Sequence, residues 1–117
     1  MRDNNHPRTE SDLPADVVGW VHSHFSGDEY GVAISILVTA AIHTGEHPSD
    51  RLIRSAAIGS KGNLENLQYL VQLLAIDWRD VIVAGEYESV NHELIRVRDL
   101  NTPIPAGTDI NSPTENS

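Results

Sequence analysis

"SGDEYGVAISILVTAAI", residues 26–42, decides the fold class. From Tyr30 onward it is apolar on nearly every side. That suits a buried helix or a buried strand equally, and hydrophobic periodicity does not separate the two. Its Val and Ile content leans toward a strand. Its length leans toward a helix, and so does Ser26 followed three residues later by Glu29, the pattern of a capping box. The stretch is therefore expected to be a helix over 30–42, ended by Gly45 and Pro48. It is also expected to be the centre on which the other elements pack.

Helical signals continue on both sides. Upstream, Asp12 and Pro14 open a segment in which Val17, Trp20, Val21, His24 and Phe25 recur at helical spacing. Downstream, Ser49 or Asp50 caps "RLIRSAAIGS". There Leu52, Ile53, Ala56 and Ala57 form a narrow apolar stripe, and the small alanines allow close helix approach. Gly59 and Gly62 punctuate its end, and Asn63 can cap the next helix. In "NLENLQYLVQLLAIDW", Leu67, Leu70, Val71, Leu74 and Trp78 share a face. The expected fold is all-α: a small bundle of four to five short helices with disordered termini. Residues 1–11 read as disordered, 12–90 as the helical domain, and 91–117 as an irregular, mostly disordered tail. Some strand character surrounds Leu94–Val97. From Asn101 the composition predicts a tail that contributes nothing to folding.

The bulk numbers exclude several function classes. Eight Lys and Arg against 17 Asp and Glu give a net charge of −9, which repels phosphate backbones, so nucleic acid is not an expected partner. There is no cysteine, hence no disulfide, thiol chemistry or Cys-based zinc site. The start, "MRDNNHPRTESD", is polar and unlike a signal peptide. The longest apolar run is too short for a bilayer. A soluble, cytoplasmic protein without membrane contact is expected, and nothing in the sequence indicates an oligomeric state.

"DWRDVIVAGEY", residues 77–87, is the densest candidate for chemistry. As a helix it has Asp77 at the N-cap and Asp80 in the first turn, which gives both acids a structural job. Asp80 and Glu86, six apart, lie about 120° apart around a helix and form no close pair. Together with Pro48 onward, this block resembles a group of small, uncharacterised bacterial helical proteins. The shared features are the arginine-bearing helix with Arg51 and Arg54, the turn at Gly62, Asn63 and Leu64, and the closing D-x-R-D-V-I-x-x-(A/G)-E-Y. The resemblance spans residues 48–88, implies a helical domain and supplies no activity.

Other motifs are weak. His43 and His47 have the four-residue spacing of metal-binding imidazoles, but Gly45 and Pro48 break the helix they would need. "GSKGN", residues 59–63, lacks the glycine spacing and Lys–Ser/Thr pair of a phosphate loop. No serine sits in a nucleophile elbow. No metal and no cofactor are expected. Arg51 and Arg54 could hold an anion, although internal ion pairs are the expected use, with Arg54 reaching Asp80 or Glu86. The binding candidates are Arg51, Arg54, Asp77, Arg79, Asp80, Glu86 and Tyr87. The function expected is an interaction or regulatory module for another protein. The alternative is a small acidic-site enzyme, or a metal-dependent protein, using Asp77, Asp80 and Glu86.

Overall fold

The computed structural model describes residues 9–104. A short 3-10 turn, Glu10–Asp12, leads into α1 (Ala15–His24) and α2 (Gly27–Val38). A loop comes next, then α3 (Asp50–Ser60), α4 (Leu64–Leu74) and α5 (Trp78–Glu86). The chain then forms an antiparallel hairpin, β1 (Tyr87–Val90) and β2 (Glu93–Arg96). The described part is thus helical, with five α-helices, but it is not purely α.

The helix starts obey local chemistry. Ser49 Oγ accepts from Leu52 N, Asn63 Oδ1 from Asn66 N, and Asp77 Oδ1 from Arg79 N. At α2 the cap position is Ser26, but its side chain makes no capping bond. That helix stops at Val38 instead of Ile42, because Thr39 Oγ1 turns back onto the Ser35 and Ile36 carbonyls and satisfies the helix end there. Asp12 lies in the 3-10 turn, and Pro14 is the residue that precedes α1. Trp78 begins α5, so it leaves the Leu67, Leu70 and Leu74 face that α4 buries.

The centre of the domain is α3, not the 30–42 stretch. Leu52 through Ile58 are buried without interruption, and so is Ser60. α2 buries only Ala33, Ile34 and Leu37, and leaves Val32 45 % exposed. Composition misleads here because burial is set by how closely neighbours can approach. Ser55, Ala56, Ala57 and Gly59 present little bulk, so other helices close on α3 from several sides. The tightest approach is with α5. A Cβ on Gly85 would stand 2.5 Å from Ser55 Cα and 2.7 Å from Ser55 O, distances only a hydrogen can occupy. Gly62, at φ +76, completes the turn out of α3, and its missing Cβ leaves room for the His24 carbonyl.

The packed chain runs past residue 90. Asn91 and His92 have φ of 53 and 69, the two left-handed residues of a type I′ turn, and they close the hairpin. Beyond β2 the chain crosses back over the helices as a strap, residues 97–104. Leu100 and Ile104 are buried and belong to the same core cluster as the helices' apolar residues. Of the segment from residue 91, expected to be irregular, Glu93–Arg96 forms a strand, and 97–104 has no helix or strand but buries Leu100 and Ile104. Residues 9–11, expected to be disordered, hold the 3-10 turn, with Thr9 N bonded to Asp12 Oδ2. Residues 1–8 and 105–117 lie outside the described part.

Two glycine variants separate packing from propensity. Gly85→Ala is expected to lower the unfolding free energy by about 3 kcal/mol, because backbone must move. Gly19→Ala, in mid-α1 with nothing within 4 Å of a new Cβ, is expected to raise it by about 1 kcal/mol. Denaturant melts of both would check the contrast. Leu100→Ala and Ile104→Ala should each cost about 2–4 kcal/mol as cavities. Deleting residues 101–117 should lower the melting temperature for the same reason.

Candidate functional site

Because Gly85 lies directly against Ser55, the residue after it is carried beneath α3. That residue is Glu86, the last of α5, and it is fully buried, with 0 % exposure. Arg51 of α3 grips its carboxylate with two bonds, Nε to Oε2 and Nη2 to Oε1, both 2.9 Å. Arg96 of β2 donates to Oε1 at 3.0 Å, and the strap's Leu100 N donates to Oε2 at 3.0 Å. The Glu86 main-chain carbonyl also accepts from Val97 N and Arg98 N.

One turn further along α3, Arg54 makes a second fork. Its Nε and Nη2 reach Asp16 Oδ2 and Oδ1 at 2.9 and 3.2 Å. Asp16 also accepts from Ile104 N at 3.0 Å, and Arg54 Nη1 donates to Leu100 O at 3.4 Å. The peptide groups of Leu100 thus bridge the two clusters, N–H to one and C=O to the other. The expected pairing of Arg54 with Asp80 or Glu86 is corrected: Asp16 is the partner, and Arg51 takes Glu86. Successive turns of α3 aim the two guanidiniums at different neighbours, α5 for Arg51 and α1 for Arg54.

Burial pushes both carboxyls up, but the paired arginines and strap N–H groups outweigh it, and Glu86 and Asp16 end below their ordinary values. Arg51 and Arg54 are raised, chiefly by their bonds to Glu86 and Asp16. Depressed carboxyls contribute stability that is fully present above the ordinary carboxylate range and lost as pH falls through their folded values.

The remaining candidates stand apart. Asp77 caps the opposite end of α5 and pairs with exposed Arg79 at 3.2 Å. Asp80 is exposed and has no ion pair among the described residues. Tyr87 opens β1, paired in register with Arg96. The three acids proposed for an enzyme are therefore not gathered: Asp77 and Asp80 face solvent at one end of α5, and Glu86 is enclosed at the other. His43 and His47 lie in the loop between α2 and α3, not on a helix. Among the described residues, no three His, Asp or Glu side chains converge as a metal site, and no helix is long and apolar enough to cross a membrane.

Beside the arginines is an open cleft of ≈ 760 Å³ at the start of α3, with Ile42, Leu52, Trp78 and Ile82 as apolar wall and Asp50, Arg51 and Asn101 as polar rim. Sequence reasoning missed Asp16, Arg96, Leu100 and Ile104. Asp16 was visible as a first-turn acid of α1, and nothing marked its partner. No family model, curated protein or solved structure matches the chain.

Glu86→Gln is expected to cost about 2–3 kcal/mol, because it removes the buried charge that the part-exposed Arg51 and Arg96 guanidiniums meet. The same change should flatten the fall in stability on acidification, measured as melting temperature against pH. In double-mutant cycles, Arg54 should couple to Asp16 and Arg51 to Glu86, while Arg54 with Asp80 should be additive.

Proposed function

We propose that the protein is a binding module for another protein, acting in the cytoplasm and without chemistry of its own. One observation carries the proposal: the ionisable side chains best suited to a site are spent on holding the domain closed. Glu86, Arg51, Arg54 and Asp16 satisfy one another and the strap backbone. A reactive acid or a free guanidinium would have to come from elsewhere. Every described Lys and Arg is likewise ion-paired, while carboxylates such as Asp28, Glu65, Asp80 and Glu93 are not. The outward charge is therefore acidic, which favours a basic protein surface and disfavours nucleic acid. The dispersal of Asp77, Asp80 and Glu86 speaks against the acidic-site enzyme.

Affinity capture from the source cells by the full chain, beside an unrelated bait of equal net charge, tests the proposal. The expected result is a protein retained by this chain alone and released as salt rises from about 50 to about 300 mM. A turnover abolished by Asp77→Asn or Asp80→Asn would overturn it.

A further inference from the structure

Folding does not account for Trp78. The chain has two tryptophans. Trp20 is buried at 5 % exposure, whereas Trp78 stands 39 % exposed and outside the core cluster. A tryptophan ring left partly in water is among the commonest anchors of a protein interface. Ile82 follows one turn later on the same face of α5, and the two form part of the apolar lining of the ≈ 760 Å³ cleft. Leu52 of α3 and Ile42 of the preceding loop complete it. Trp78 also borders a smaller cleft of ≈ 330 Å³, beside Ile76, which is 78 % exposed.

The charges around these clefts differ in what they leave free. Arg51 is paired with Glu86 and Arg54 with Asp16. At the smaller cleft Asp77 and Arg79 answer each other. Asp50 is the exception: it is exposed, and its carboxylate has no hydrogen bond or ion pair among the described residues. Its charge reaches Arg54 one turn along α3, but Asp16 already neutralises that guanidinium. The N–H groups that open α3 offset roughly half an elementary charge. The surplus at the cleft is therefore negative, and an anion approaching that helix start meets Asp50 first.

We propose that this cleft takes a basic and apolar segment of the partner protein. An aromatic or aliphatic side chain packs against Trp78 and Ile82, and a neighbouring lysine or arginine meets Asp50. An acidic segment is disfavoured by Asp50. A second copy of this chain is disfavoured because each copy carries a net charge of −9. The inference rests on the protein-binding reading and names its site.

The probe is the capped peptide acetyl-Lys-Leu-Phe-Lys-Leu-amide, titrated into the full chain at low salt. It carries no tryptophan, and Trp20 is buried, so a change in tryptophan emission reports Trp78. Binding is expected below about 1 mM, with a blue shift of the emission that Trp78→Phe abolishes. Glu in place of both Lys residues should weaken binding about tenfold or more, and so should Ser in place of Leu and Phe. In the protein, Asp50→Asn should weaken it about tenfold and flatten its salt dependence, and Asp50→Glu should restore most of both. Should Asp50→Asn fail to fold, Trp78→Ala and the two control peptides carry the test, read by the amide shifts of Leu52 and Ile82. No binding at about 1 mM, equal or tighter binding of the Glu peptide, or binding undiminished in both Asp50→Asn and Trp78→Ala would overturn the proposal. Amide shifts confined to the hairpin would do the same. Undiminished capture of a cellular partner by the chain carrying both Asp50→Asn and Trp78→Ala would sink the cleft site and leave the binding-module reading standing.

Discussion

The structure depends on burying one carboxylate. Glu86 is out of contact with solvent, and an ion in that position must be met by charge and hydrogen bonds from all sides. Its partners come from three places: Arg51 on α3, Arg96 on β2, and the main-chain N–H of Leu100. Each contact fixes one element relative to α5. A pair of this kind adds little net stability compared with an apolar contact, but any other arrangement would leave a charge unmatched. It selects the arrangement more than it stabilises it. Gly85 is the condition for this, since a side chain there would hold α5 away from Ser55 and leave the Glu86 carboxylate short of Arg51.

What could be read from the sequence was local. The caps at Ser49, Asn63 and Asp77 sit where they were expected, because a cap is a bond to an N–H two or three residues away. The α1 face of Val17, Trp20, Val21 and Phe25 is buried for a similar reason: spacing alone fixes it. The centre of the fold was hidden because α3 is amphipathic by composition and central by contact. Its small residues were visible, but their effect depends on which helices press against them. The hairpin was obscured by its turn. Asn-His adopts the paired left-handed conformation less readily than Asn-Gly, and so it signals weakly. The strap left no pattern at all, since Leu100 and Ile104 are isolated apolar residues among Asp, Asn, Thr and Pro.

The same division applies to the charged residues. Arg51, Arg54 and Glu86 stood out as candidates, and the structure pairs Arg51 with Glu86 while Arg54 goes to Asp16. Their pairing was not identifiable, because 17 acids compete for eight Lys and Arg in the sequence and the choice is made by helix rotation. Asp16 lies 38 positions before the arginine it holds. Once these pairs form, the cations are neutralised from within, and what remains outside is acidic and, at the hairpin, apolar.

The strap has a consequence for the order of events in folding. Its last bond joins Ile104 to Asp16, 88 positions apart, and encloses nearly the whole described chain. Contacts between α3, α4 and α5 span far shorter separations and can form while that loop is still open. Docking of the strap is therefore a late event, and its release is the natural first step of opening. An excursion that frees residues 97–104 would uncover both α3 guanidiniums and the lower core while the helices stay paired, a sub-global unfolding unit with a boundary set by two carboxylates.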